Sequence, residues 1–322
     1  METRILSQSD LSVSRLVLGT MTFGSQVDVA EARSMVDLCL DAGVTMFDTA
    51  NAYNAGRSEE ILGEVLKGRR NEALIATKAF MSMGPDADDS GLHKEAIFQA
   101  VDASLRRLQT DHIDLFYFHQ PDWQTPIEES LEALNSLIDS GKIRYGGTSN
   151  FAAWQIADIL CLSDRKGWQP VCIAQQMYNL LSRRIEEEYA AFSINHGVSN
   201  IVYNPLAGGL LTGKHQLDSD PELDSRFTAE MYRKRYWNDA QFAAVGRLKD
   251  VAGEAGLTLV ELSFRWLFSQ PLVDAVLVGA SRLDQLRTNL AAAQGPQLPK
   301  DVMEACDQVW QTLRGAAPSY NR

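Results

Sequence analysis

Short apolar or β-branched runs alternate with longer amphipathic stretches along most of the chain. Eight runs carry a strand pattern: Leu16 to Leu18, Thr45 to Asp48, Leu74 to Lys78, Ile113 to His119, Tyr145 to Ser149, Ile173 to Gln176, Asn200 to Tyr203 and Ala275 to Val278. The stretches between them have helical spacing and readable ends. Asp28 with Glu31 predicts a capping box, followed by Met35, Val36, Cys39 and Leu40 on one face. Ile97, Val101, Leu105 and Leu108 mark the inner face of a third helix. Thr125-Pro126-Ile127-Glu128 predicts another box with proline in the first helical position, Leu131, Leu134 and Ile138 as the buried stripe, and Gly141 as a left-handed stop.

Strands alternating with helices imply βα units and a parallel sheet. With no Pro/Gly/Ser-rich linker dividing the chain, the expectation is an α/β fold, a single (β/α)8 TIM barrel in one domain spanning residues 1–322. Two stretches interrupt the rhythm. The polar segment before Leu16 suits a short N-terminal lid over one barrel end. Gly213 to Asn238 forms a long insertion after the seventh strand, and its aromatics Phe227, Tyr232, Tyr236 and Trp237 favour a functional loop.

Composition narrows the function. The 322 residues are 45% apolar with a formal net charge of −12, a balance that supports a large core and argues against broad nucleic-acid binding. With no apolar run able to span a bilayer and no apolar leader after Met1, the expected location is the cytoplasm, without membrane insertion. Cys39, Cys161, Cys172 and Cys306 lack Cys-x-x-Cys spacing and read as buried thiols; no metal is expected. Gly208 to Lys214 imitates a phosphate loop, but His215 stands where a Ser or Thr would hold Mg²⁺, so ATP chemistry is not expected. No Gly-x-Gly-x-x-Gly follows a strand, which leaves a Rossmann site unsupported.

Active sites on this barrel sit at the carboxyl ends of strands. Asp48, Lys78 and His119 end three of the apolar runs, and Tyr53 follows Asp48 in the same loop. A tyrosine is a weak acid, but a neighbouring ammonium favours its phenolate. The expected division of labour is Tyr53 as proton donor, Lys78 and Asp48 tuning it, and His119 orienting a carbonyl oxygen.

These residues, with Leu18-Gly19-Thr20-Met21-Thr22-Phe23-Gly24, Phe47-Asp48-Thr49-Ala50, Gly56-Arg57-Ser58-Glu59, His119-Gln120-Pro121-Asp122, Gly147-Thr148-Ser149-Asn150-Phe151, Gln175-Gln176-Met177-Tyr178-Asn179, Tyr203-Asn204-Pro205-Leu206 and Gly279-Ala280-Ser281-Arg282, form an ordered series over nearly the whole chain. It resembles the aldo-keto reductases, and more narrowly the bacterial branch similar to potassium-channel β subunits. The resemblance implies carbonyl reduction with NADPH laid across the barrel mouth. By the same likeness the cofactor would meet Gly19, Thr20, Met21 and Asp48, its nicotinamide amide Ser149, Asn150 and Gln175, and its ring Tyr203, next to Asn204 and Pro205. Pyrophosphate contacts map to Leu206, Gly208, Lys214 and Arg226, and the adenosine 2′-phosphate end to Gly279, Ser281, Arg282, Gln285 and Asn289. Thr288 departs from the pattern, since relatives often carry Glu before this Asn; the adenine contact is the part that this affects.

Met21, Tyr53, His119 and Trp123 are the candidate substrate pocket for a small-molecule carbonyl, with Phe23 a weaker candidate. Two other functions compete. An NADPH-sensing regulatory subunit with low turnover follows from the channel-subunit likeness, and a metal-dependent barrel isomerase finds too few ordered carboxylates and histidines. Oligomer formation and the natural substrate stay open.

Overall fold

The computed structural model describes residues 1–86, 89–221 and 225–316. Ten strands and eleven α-helices follow one another among them. The strands are β1 (Thr3–Ile5), β2 (Ser12–Ser14), β3 (Leu16–Gly19), β4 (Met46–Asp48), β5 (Leu74–Ala79), β6 (Ile113–Phe118), β7 (Ile143–Ser149), β8 (Ile173–Met177), β9 (Ser199–Tyr203) and β10 (Ala275–Val278). β3 to β10 are parallel and close into a barrel, β10 pairing with both β9 and β3. Every gap between barrel strands holds at least one helix, the alternation expected of a (β/α)8 fold.

Side-chain alternation along the strands separates two apolar layers. Val17, Met46, Ala76, Leu115, Tyr117, Ile173, Ile201 and Ala275 point inward and fill the barrel, whereas Leu16, Leu18, Phe47, Ile75, Phe116 and Phe118 join the outer core under the helices. The same period of two then places the site. Asp48, two residues beyond Met46, points inward, as do Lys78 beyond Ala76, Gln175 beyond Ile173 and Tyr203 beyond Ile201. The inward rows are apolar low in the barrel and polar at their carboxyl ends.

Helices α1 (Val29–Asp41), α2 (Arg57–Val65), α3 (Lys94–Leu108), α4 (Ile127–Asp139), α5 (Ala153–Lys166) and α6 (Tyr189–Asn195) follow the first six barrel strands in turn. Asp28 caps α1 as predicted, its carboxylate accepting from the Glu31 N–H at 2.8 Å. Glu31 does not complete the box; its carboxylate instead accepts from the Leu283 N–H at 3.0 Å. The box predicted at Thr125 does not form. Pro126 is itself the N-cap, one position before the helix, and the Thr125 hydroxyl donates to Asp122 at 2.9 Å. At the other end Gly141 takes the left-handed conformation foreseen for it, with φ +76°. Of the four thiols, Cys161 is exposed, contrary to expectation, while burial pushes Cys39 and Cys306 up to about 12 and Cys172 to about 11.

The segment before Leu16 is less polar in effect than in composition. β1 and β2 form an antiparallel hairpin that buries Leu6, Leu11 and Val13 against the inner layer. Ser14 and Thr45 exchange hydrogen bonds at 2.9 Å, and the Ser7 N–H donates to Ser199 Oγ at 2.8 Å. Thr45 and Ser199 lie at strand starts, so the lid closes the amino-terminal end, opposite the candidate site.

Past β9 the chain makes 3-10 turns at Ala207–Thr212 and Arg226–Thr228, then α7 (Glu230–Tyr236), α8 (Asp239–Glu254) and α9 (Leu259–Phe268) before β10. Residues 222–224 of the insertion lie outside the described residues. Phe227, Trp237, His215 and Phe242 pack ring against ring, Phe227 and Trp237 with centroids 5.0 Å apart. These aromatics anchor the insertion to the body. After β10 come α10 (Leu283–Ala292) and α11 (Lys300–Arg314), the latter packed on α8. No described helix is long and apolar enough to cross a membrane.

Candidate active site

Four strand ends and one loop converge at the carboxyl end of the barrel. Lys78 is fully buried, with its Nζ in an ion pair with Asp48 Oδ1 and donating to the Thr49 carbonyl oxygen at 2.8 Å. It also reaches the Tyr53 hydroxyl at 3.5 Å. The second Asp48 oxygen accepts from Gln175 Nε2 at 2.9 Å. Burial acts on the two partners in opposite senses, pushing the Asp48 carboxyl up and pulling the Lys78 ammonium down. For Lys78 burial is the largest single influence, but Asp48 and Tyr53 together outweigh it, and its pKa ends above the ordinary lysine value. For Asp48 burial outweighs Lys78 and Gln175, which taken alone would favour a neutral carboxyl. The geometry decides for the ionised pair, because both Asp48 oxygens act as acceptors toward N–H donors.

Tyr53 opens a single tight turn, Tyr53–Gly56, between β4 and α2. Asn54, Ala55 and Gly56 all have positive φ (51°, 53° and 88°), a costly backbone for the two residues that carry a Cβ. The Asn54 amide stabilises the turn by donating to the carbonyl oxygens of Met21 at 2.9 Å and Phe23 at 2.7 Å. The turn leaves Tyr53 half-buried with its hydroxyl toward Lys78. Burial raises the phenol pKa above its ordinary value, against the pull of Lys78, which acts in the expected direction but is outweighed. The resting site therefore keeps Tyr53 protonated.

His119 directly follows β6, its ring 5.9 Å from that of Tyr53 and edge-on to it. Burial, with a smaller contribution from Lys78, pulls its pKa down to about 3, so the imidazole is neutral. Nδ1 is buried without a hydrogen-bond partner, leaving ring capacity that the protein does not consume.

Other expected residues line the same mouth. Ser149 ends β7, and Asn150, at φ 64°, donates to the His119 carbonyl oxygen and to Ser149 Oγ, each at 3.0 Å. The Tyr203 hydroxyl donates to Asn150 Oδ1 at 2.7 Å, and Asn204 accepts from the Gly208 N–H at 2.7 Å. Pro205 is buried and Leu206 half-buried beside them, and Lys214 is exposed beyond the Gly-rich turn. Arg226 reaches back from the insertion, donating to the Tyr232 hydroxyl at 2.8 Å. Its guanidinium lies so near Gly279 that a Cβ there would be 3.3 Å from it. Across the β10–α10 loop Gln285 Oε1 accepts from both Ser281 N–H and Oγ–H at 3.1 Å, Arg282 caps α10 beside Asp284, and Asn289 is buried. Gly19 lets its strand end approach Leu277, whose side chain lies 2.7 Å from where a Cβ would be.

These groups suit a nicotinamide dinucleotide. Amide and hydroxyl groups surround the catalytic candidates, a tyrosine ring stands beside them, and Arg226 of the insertion lies against Met21 and Gly279 at the same mouth, where it can meet an anionic group. Met21 is exposed, whereas Phe23 is fully buried and belongs to the core.

Two features had no separate signal in the sequence. Ser58 is a buried hub whose Oγ meets Thr20 Oγ1 at 2.8 Å and Thr49 Oγ1 at 2.9 Å, and donates to the Thr20 carbonyl oxygen at 2.8 Å. Trp154, 55% exposed, lies beside Trp123, 78% exposed, with ring centroids 6.2 Å apart. The fold is what places Trp154 next to the His119 loop. His93, Glu95 and Glu129 also bring ligand-type atoms within 4.8 Å of one another, but His93 and Glu129 accept from the first N–H groups of α3 and serve as its caps.

Comparisons with known proteins give the family. A probable voltage-gated potassium channel subunit beta of Arabidopsis thaliana is 39% identical, over 99% of this chain and 100% of its own. The human aflatoxin B1 aldehyde reductase member 2 is 36% identical, over 100% of this chain and 94% of its own. Human aldo-keto reductase family 7 member A3 is 35% identical, over 95% of this chain and 96% of its own. A profile of the Aldo/keto reductase family matches residues 15–311, and the chain belongs to that family of oxidoreductases.

Proposed function

We propose that the whole chain acts as one catalytic unit that reduces an aldehyde or ketone to an alcohol with NADPH. The observation that carries this reading is the Tyr53 hydroxyl held 3.5 Å from the fully buried Lys78 Nζ. Bound nicotinamide would supply the hydride to the carbonyl carbon. As negative charge grows on the carbonyl oxygen, the Tyr53 hydroxyl gives up its proton to it, and the Lys78 ammonium stabilises the phenolate left behind. Asp48 keeps Lys78 charged and aimed. His119, neutral, donates a hydrogen bond to the same oxygen and sets its angle. Gly279, Ser281, Arg282, Gln285 and Asn289 are the proposed adenosine-phosphate end, with Leu206, Gly208, Lys214 and Arg226 along the pyrophosphate, which favours NADPH over NADH. Exposed Trp123 and Trp154 at the rim favour flat aryl carbonyls.

The test is oxidation of NADPH, and separately NADH, by the purified protein with aryl aldehydes, α-dicarbonyls, sugar aldehydes and keto-sugars. Turnover with NADPH supports the reading. A second reading, an NADPH-sensing subunit, is favoured by the relative named as a channel β subunit; tight NADPH binding with no turnover across the panel would put it first.

The state of His119 makes a further prediction. A histidine at its ordinary pKa would protonate in the physiological range and impose an acid limb there. With His119 held near 3, kcat/KM for carbonyl reduction stays flat with respect to this group from about pH 8 down to about pH 5. An acid limb near 6.5 that disappears in His119→Gln would show that the ring is solvated and chargeable.

A further inference from the structure

The tight turn that carries Tyr53 is backed by a buried ion pair outside the proposed reaction path. Glu59, one turn into α2, is completely buried. One carboxylate oxygen accepts from the Thr77 hydroxyl at 2.5 Å, and the other from Arg107 Nε of α3 at 2.6 Å. Thr77 immediately precedes Lys78 on β5. It points outward, by strand alternation, while Lys78 points in, so Glu59 grips the lysine strand from behind.

Arg107 completes the connection to the tyrosine. Its side chain lies against Gly56, where a Cβ would be 2.8 Å from Arg107 Cδ. Gly56 is the last of the three positive-φ residues that follow Tyr53, and such a backbone persists only where its surroundings over-determine it. Asn54 supplies one restraint on the turn and Arg107 a second. A buried carboxylate is costly unless fully paired, and here both oxygens are used, one toward the Lys78 strand and one toward the Tyr53 turn.

We infer that Glu59, acting through Arg107 and Thr77, is a positioning residue that sets the distance between the Tyr53 hydroxyl and the Lys78 ammonium. The inference rests on the proposed carbonyl reduction for its kinetic consequence, not for its structural one.

The test compares Glu59→Gln, which keeps the shape and removes the charge, with Thr77→Val, which removes one hydrogen bond and leaves the ion pair. Glu60→Gln, at a half-buried neighbour paired with Arg57, is the control. Two readouts are needed. In steady-state reduction, kcat in Glu59→Gln falls about tenfold or more, KM and the NADPH dissociation constant stay within about twofold, and the primary isotope effect from deuterated NADPH rises as chemistry slows. Thr77→Val moves the same way by less, and the control does not move. In fluorine NMR of 3-fluorotyrosine-labelled protein, with the Tyr53 resonance assigned by its loss in Tyr53→Phe, that resonance shifts in Glu59→Gln while those of Tyr145 and Tyr189 hold.

The spectroscopic readout needs no turnover. If the wild type reduces nothing, the reductase reading fails, while a displaced Tyr53 resonance still upholds the positioning role. An unmoved resonance overturns the inference, as does a lowered melting temperature with kcat unchanged. Should Glu59→Gln fail to fold, Thr77→Val decides by the same two readouts.

Discussion

Tyr53→Phe removes carbonyl reduction and little else. The hydroxyl lies 3.5 Å from the Lys78 ammonium, and general-acid contributions run to about 10²–10⁴-fold, so kcat/KM should fall by about 10³-fold. The loss belongs in kcat, because the ring remains to pack against His119 and the Tyr53 hydroxyl is not among the proposed cofactor contacts. NADPH affinity, read by titration of intrinsic fluorescence, and the melting temperature should match the wild type. Reduction of an aryl aldehyde at the wild-type rate by this variant would mean that another group delivers the proton. The raised phenol pKa sharpens the expectation. The site stores the proton at rest and lowers its cost only when an oxyanion begins to form, which is when a donor is needed.

How far the sequence displayed this arrangement varies with the physics of each part. All eight barrel strands were visible as apolar runs because a strand enclosed on both faces has no alternative to apolar residues through most of its length. Asp48, Lys78 and His119 stood out as polar interruptions at the ends of such runs, and period-two alternation then turned them to a common interior. Strand limits were less exact: β7 begins at Ile143, two residues early, because pairing with Ile113 of β6, not hydropathy, sets its start.

The parts not legible depend on distant partners. Nothing local distinguishes Glu59 from the half-buried Glu60 beside it; the difference is Arg107, which only the packing of α2 on α3 supplies. Thr125 has the composition of a cap, but Asp122 competes for its hydroxyl. Positive φ at Asn54 and Ala55 has no compositional mark either, since glycine at Gly56 announces only the last of the three. The N-terminal lid was legible as a lid, but its packing was not. Its few apolar residues, Leu6, Leu11 and Val13, are diluted by serines that turn out to hydrogen-bond strand starts, so a polar-looking segment plugs an apolar opening.

Asp48→Asn should lower stability by about 3–5 kcal/mol, because it leaves the fully buried Lys78 ammonium without its counter-charge. The pH dependence is the more discriminating measurement. In the wild type the Lys78 pKa is raised above its unfolded value, so its stabilising contribution is fully present below about pH 10 and is lost only as pH rises through the raised value. In Asp48→Asn burial, the largest influence on Lys78, is opposed only by Tyr53 and should depress the lysine below its unfolded value. The unfolded state then binds more protons between the two values, and stability must increase with pH toward about 10. Urea unfolding at a series of pH values should therefore show a rising midpoint in the variant where the wild type is flat. Adding Lys78→Met to Asp48→Asn removes the orphaned charge, and the double variant should recover part of the stability and lose the slope, while remaining inactive. A parallel pH response in the wild type and Asp48→Asn would place the pair outside the charged state assigned to it. The ammonium that steadies the Tyr53 phenolate would then be missing as well, so the same titration tests the electrostatic basis of the proposed proton transfer.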